Sequence, residues 1–96
     1  MHARVFTFQI KQPEMIDALY QMMQNELLTV SQTFSGFTDA LHLANRQAGK
    51  LVTITIWDTE AQARSFVPSE EQLRQWASFD EFFTAQPTDE ILEMLI

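Results

Sequence analysis

Of the two histidines in this chain, His42 is the one placed inside a patterned stretch, FTDALHLAN. An imidazole titrates near neutrality, so it can take a proton from a weak acid and give it back. If the stretch is a strand, Ala40 and Ala44 share its face and leave room beside the ring. His42 is therefore the candidate base, set against the plainer reading of a surface or core histidine satisfied by backbone. His2, next to the terminus, carries no expectation. Gln9 shares a strand face with Val5 and Thr7. Its amide orients a carbonyl or an oxygen intermediate if that face lines a pocket, and makes an interface hydrogen bond if it meets a partner subunit. The Trp76 ring can stack on a ligand and donate its N–H, or anchor a short helix in the core. Trp57 packs a strand end against the following helix start, with a ligand wall as its second role. Asn45 is equally a turn residue. No glycine-rich phosphate loop, nucleophile elbow or His/carboxylate cluster at metal spacing occurs, so no metal site is expected. Glu70 and Glu71 are adjacent, diverge on a helix, and do not make an acid/base pair.

These groups must be positioned by a small scaffold. The 96 residues make one domain, 1–96, with 46% hydrophobic composition, eight Phe and two Trp, enough for a packed core. Thirteen acidic against six basic residues give a net charge of −7. With no basic cluster, neither nucleic acid nor an anionic membrane surface is an expected partner. The absence of cysteine excludes disulfides, thiolate catalysis and Cys-based metal sites. No apolar run approaches the roughly 18 residues of a membrane span, and MHARVFTFQIKQ lacks the order of a secretory signal. A soluble cytoplasmic protein is the expectation.

Period-two alternation predicts strands over Arg4–Ile10 and Phe37–Asn45. Between them, Ile16, Leu19, Tyr20, Met23, Leu27 and Val30 recur at spacings of three and four, one stripe of an amphipathic helix. Pro13 opens it and Ser35–Gly36 closes it. Arg46–Lys50, with Gly49, reads as a hairpin loop. In the stretch KLVTITIWDTEAQARSF, Leu51, Thr53, Thr55 and Trp57 point one way, and Val52, Ile54 and Ile56 the other. A strand apolar on both sides needs two covers, and a chain this short covers only one. The second cover is expected to be another copy of the chain. Thr59 with Gln62 fits a capping box for the next helix, and Ser69 with Gln72 fits another after Pro68. Leu73, Trp76, Phe79 and Phe83 then give a short amphipathic helix, and Ile91–Ile96 a final strand. The order is that of a ferredoxin-like βαββαβ fold of the α+β class, with both helices on one face of an antiparallel sheet.

The joint IWDTEAQARSF and the helix exit Phe34-Ser35-Gly36-Phe37 resemble the corresponding stretches of the antibiotic biosynthesis monooxygenase family, and the element order matches over nearly the whole chain. The resemblance implies a dimeric α+β barrel, a homodimer joined through the sheet face. Haem-degrading members of that superfamily use a strand Asn, a helix Trp and a haem-ligating His, where this chain offers Gln9, Phe66 and Trp76. An indole N–H only donates and cannot ligate iron, so haem degradation is not expected. What the resemblance leaves is cofactor-independent oxygenation of a small aromatic or quinol substrate. In that reading no cofactor is required, His42 is the base, Gln9 the polar orienter, and Trp76, Phe66 and Trp57 form pocket walls. The alternatives are a non-catalytic dimer that binds a small apolar ligand or serves in stress or regulation, and an isomerase or dismutase-like activity using His42 alone.

Overall fold

The computed structural model describes residues 1–67 and 70–95, without the side chains of residues 28, 30–32 and 72. The elements are β1 (His2–Gln9), a 3-10 turn (Pro13–Met15), α1 (Ile16–Thr33), β2 (Phe37–Asn45), β3 (Lys50–Trp57), α2 (Glu60–Ser65), α3 (Glu70–Ala77), a second 3-10 turn (Asp80–Phe82) and β4 (Thr88–Glu93). The strands form one antiparallel sheet in the order β2-β3-β1-β4, the expected ferredoxin-like α+β arrangement.

Alternation decides which side chains the helices cover. On β1, Phe6 and Phe8 are buried, and opposite them stand Thr53 and Leu51 of β3. The α1 stripe of Ile16, Leu19, Met23 and Leu27 closes over that face together with Trp57, Ala63 and Phe66. Each buried Ile, Leu, Met or Phe among them contributes roughly 1.5–3 kcal/mol through removal of its apolar surface from water. Pro68, Ser69 and the side chains of Val30 and Gln72, and with them the last position of the predicted stripe and the second capping box, lie outside what is described. The Thr59–Gln62 box forms in its first half: the Thr59 hydroxyl accepts from the Gln62 N–H at 3.2 Å. Gly36 ends α1 with φ +85°, and a Cβ there would collide with the Gln62 amide. Gly49, at φ +64°, lets the hairpin loop pass close enough for Ile10 N–H to donate to its carbonyl at 2.6 Å.

Several boundaries differ from the sequence reading, those of the strands for reasons of pairing. β1 begins two residues early, because His2 and Ala3 pair with both β3 and β4. Ile10 leaves the ladder for an isolated bridge with Phe83. β4 runs Thr88–Glu93, three residues earlier than the predicted Ile91 start, because it pairs with β1 from Thr7 opposite Thr88 to His2 opposite Glu93; Ile96 of the predicted strand lies outside the described residues. The helix carrying Trp76 stops at Ala77. Phe79 N–H bonds back only three residues, to Trp76 O at 3.0 Å, and Phe79 and Phe83 flank a 3-10 turn instead of continuing α3. Arg4 ties the assembly across β1. Its guanidinium holds Asp89 of β4 at 2.7 and 3.0 Å and donates to the carbonyls of Ala63 and Phe66 at the end of α2.

Candidate functional site

β2 is an edge strand, and its covered side carries His42 toward α1. The ring is half-buried and meets Tyr20 edge-on at 4.9 Å. Nδ1 lies 3.0 Å from Thr53 Oγ1, and Nε2 lies 3.0 Å from Gln24 Oε1. A carboxamide oxygen only accepts, so Nε2 carries the hydrogen and Nδ1 accepts from the threonine hydroxyl. Burial pushes the imidazole below its ordinary pKa, which favours the neutral ring, the form able to take a proton. A cleft of about 310 Å³ opens beside it, lined by His42, Tyr20, Ile16, Leu51 and the rim pair Asp17 and Arg46. Arg46 binds Asp17 through two hydrogen bonds at 2.8 and 3.2 Å. Its charge and donors hold the Asp17 carboxyl below the usual range.

The aromatic candidates sit elsewhere under the helices. Trp57 is fully buried, and its N–H donates to Thr55 Oγ1 at 2.9 Å. Its ring stacks near Phe66 at 6.4 Å and meets Phe37 edge-on at 5.5 Å. Trp76 projects from α3 onto β1, edge-on to Phe6 and Phe8 at 5.6 and 5.7 Å. Its indole N–H donates to Glu26 Oε2 at 2.9 Å. Gln24 and Glu26 are two residues apart on α1, hence about 200° apart around the helix, so His42 and Trp76 occupy opposite flanks of it. Gln9 is exposed on the other face of the sheet, with Val5 and Thr7. The fold thus brings Trp57, Phe66 and Trp76 into one aromatic layer, and brings neither Gln9 nor Trp76 to His42. Asn45 is a turn residue, its Oδ1 accepting from Ala48 N–H at 3.1 Å.

Sequence reasoning did not single out Gln24, Thr53 or Glu26. Thr53 carried a signal, a hydroxyl in the apolar alternation of β3. Glu26 carried none, being one more polar residue in a helix. Only 6% of it is exposed, and desolvation raises its carboxyl above the ordinary value, partly countered by the Trp76 hydrogen bond. Among the described residues, no group of three or more His, Asp or Glu side chains is placed to hold a metal ion, and no helix is long and apolar enough to cross a membrane.

Neither a family model nor a curated protein matches this chain. Solved structures do. An antibiotic biosynthesis monooxygenase superposes with a TM-score of 0.70 at 18% identity, covering 100% of both chains. The monooxygenase from the gene ActVA-Orf6 of Streptomyces coelicolor, in complex with the ligand nanaomycin D, gives 0.75 at 14% identity over 98% of this chain and 87% of that one. SnoaB, a cofactor-independent oxygenase from Streptomyces nogalater, gives 0.72 at 13% identity over 99% and 93%. The chain therefore has the ferredoxin-like α+β fold that antibiotic biosynthesis monooxygenases share, along nearly its whole length. At these identities the likeness is one of fold, and chemistry has to be argued from the side chains.

Proposed function

We propose that this chain is a cofactor-independent monooxygenase acting on a small aromatic or quinol substrate, and that it works as a dimer joined through the uncovered sheet face. The observation that carries the proposal is the half-buried His42 in the wall of a cleft on the covered side, where burial lowers its pKa and so favours the neutral ring. A phenolic substrate entering that cleft displaces the Gln24 amide from Nε2. Thr53 Oγ1 can donate or accept, so it can take an Nδ1–H and leave Nε2 free as the base. Nε2 then removes the phenol proton, and the O–H pair remains on the substrate as phenolate. The electron-rich ring carbon reduces dioxygen and bonds to it. Loss of that carbon's hydrogen and cleavage of the O–O bond release water and leave a quinone. One oxygen atom enters the product and the other leaves as water, with the substrate as sole reductant.

In this reading Trp76 and Phe66 belong to the aromatic layer beneath the helices. Gln9, on the opposite face, belongs to the dimer contact rather than to the substrate. The uncovered face supports such a contact. Leu41, Leu43 and Leu92 are 47, 54 and 45% exposed around half-buried Val5, Val52, Ile54 and Ile56, an apolar surface of the kind that marks protein contacts.

A second reading, a non-catalytic ligand-binding protein, is favoured by the engagement of both His42 ring nitrogens. Oxygen uptake against a panel of hydroquinones and naphthols, with product analysis, separates the two. The monooxygenase reading expects substrate-dependent uptake that falls by roughly a hundredfold or more in His42→Ala, the usual scale of general-base loss. No uptake from folded protein selects the binding reading. Uptake unchanged in His42→Ala removes this histidine from the mechanism.

A further inference from the structure

The rim of the His42 cleft carries a charge that the proton transfer leaves unused. Arg46 opens the turn between β2 and β3. Asn45 Oδ1 holds that turn by accepting from Ala48 N–H at 3.1 Å. Gly49 holds it too, donating its N–H to Arg46 O at 3.4 Å and accepting from Ile10 N–H at 2.6 Å. The backbone of Arg46 is thus fixed, and the residue lines the cleft together with Tyr20 and His42. Asp17, in the first turn of α1, accepts from Nη1 and Nη2 at 3.2 and 2.8 Å. A guanidinium has five N–H donors in a fixed fork. Asp17 takes two, so Nε–H and one hydrogen on each terminal nitrogen have no acceptor among the described residues.

The pair does little for the fold. Its side chains are 62 and 69% exposed, and an ion pair so open to water adds little stability. What it does is hold a planar fork of donors at the cleft. Of the chain's six basic residues, Arg46 is the one that lines this cleft. Gln24, which bonds His42, and Asp17, which bonds Arg46, stand about two turns apart on α1, roughly 10 Å along its axis. Ile16, Ala44 and Leu51 supply apolar wall between the two polar ends. We propose that Arg46 determines specificity: the substrate of the His42 cleft is a phenol with a carboxylate at its far end, held by the N–H donors of Arg46 that Asp17 leaves open. Asp17 orients the fork, and its own charge opposes a second anion. The proposal rests on His42 as the base for a phenol, and adds to it the acid group and the residue that reads it.

The test is titration calorimetry on the full chain under nitrogen, so that turnover plays no part. The probes are 4-hydroxycinnamate and its carboxamide, which share ring and hydroxyl and differ in charge at the far end. The wild-type chain is expected to bind the acid roughly tenfold more tightly, the scale of a charge-assisted contact open to water. Arg46→Gln should abolish that preference. Asp17→Asn, which keeps an oxygen acceptor for the fork and removes the opposing charge, should enlarge it. Arg74→Gln removes the same charge from an exposed position on α3 and should leave it unchanged. Equal or tighter binding of the carboxamide by the wild type overturns the proposal, as does a preference that survives in Arg46→Gln or falls as far in Arg74→Gln. A preference weakened in Asp17→Asn, or no binding of either probe at the solubility limit, overturns it too. Oxygen uptake fails separately: uptake with neutral quinols and no preference for the acid ends this proposal alone, and a preference without uptake ends the monooxygenase reading alone.

Discussion

The two faces of β3 come from one alternating stretch and end in opposite states. Leu51, Thr53, Thr55 and Trp57 are 0–1% exposed under the helices, whereas Val52, Ile54 and Ile56 remain half-buried on the far side. The covered face also resolves its polar groups internally, since Thr55 accepts from Trp57 and Thr53 pairs with His42. The uncovered face has aliphatic side chains, with Leu41 and Leu43 beside them and no helix above. The chain completes one face by itself, and Thr53, Thr55 and Trp57 find their polar partners there. The other face is mainly aliphatic at its centre, with Thr7 and Gln9 beside Val5, which suits contact with another surface.

The covered face is most sensitive to substitution at Trp57. Its ring meets Phe34, Phe37 and Phe66 and is fully buried. Trp57→Ala should cost about 3–5 kcal/mol, from lost transfer energy and the cavity left behind, and leave the chain near or past its unfolding threshold. Urea unfolding followed by circular dichroism checks this. A loss near that of a surface substitution would mean that the aromatic layer does not hold the covered face together.

Adjacent positions on β3 sharpen the contrast. Ile54 faces the uncovered side opposite Val5 and Leu41, while Thr53 faces His42. Ile54→Lys should leave the fold intact and raise the dimer dissociation constant by roughly a hundredfold or more, through unpaired like charges at the contact. Thr53→Lys should instead unfold the chain, because no partner waits for an ammonium in that interior. Sedimentation and circular dichroism on both variants separate the outcomes. A wild-type chain that sediments as a stable monomer ends the dimer reading.

The two faces of β3 were legible in the sequence because strand alternation has period two and needs no distant information. The α1 stripe and its glycine exit were legible for the same reason, each encoded within one element. The extents of β1 and β4 were not, since a strand ends where its partner does. The site was legible only in its histidine. Gln24 lies 18 residues from His42, and Glu26 lies 50 residues from Trp76. A polar residue on a helix becomes a buried one only when a separate element closes over it, and nothing local records that. The sequence also gave no reason to separate Trp76 from His42, because which flank of α1 each meets is settled by the sheet order.

The smallest effect is expected in the pH dependence of stability, where the half-buried His42 and the buried Glu26 oppose each other. His42 has a folded pKa below its ordinary 6.5, from burial. The folded state therefore binds this proton less readily than the unfolded chain. Its stability is complete above that value and declines as pH falls through 6.5 toward the folded pKa. Glu26 has a folded pKa above its ordinary 4.5, also from burial. Its folded state binds the proton more readily, so that contribution is complete below 4.5 and is lost as pH rises through the folded pKa. Each group changes the folding constant by at most about tenfold per pH unit. Urea midpoints over roughly pH 4–8 for the wild type, His42→Gln and Glu26→Gln resolve the two terms. Removing the histidine should flatten the decline on the acid side of 6.5, and removing the carboxyl should raise stability near neutrality. A Glu26→Gln chain no more stable than the wild type near neutrality would show that the carboxyl is satisfied in solution. In that case desolvation of Glu26 contributes nothing to the pH dependence, and the slope that remains belongs to His42.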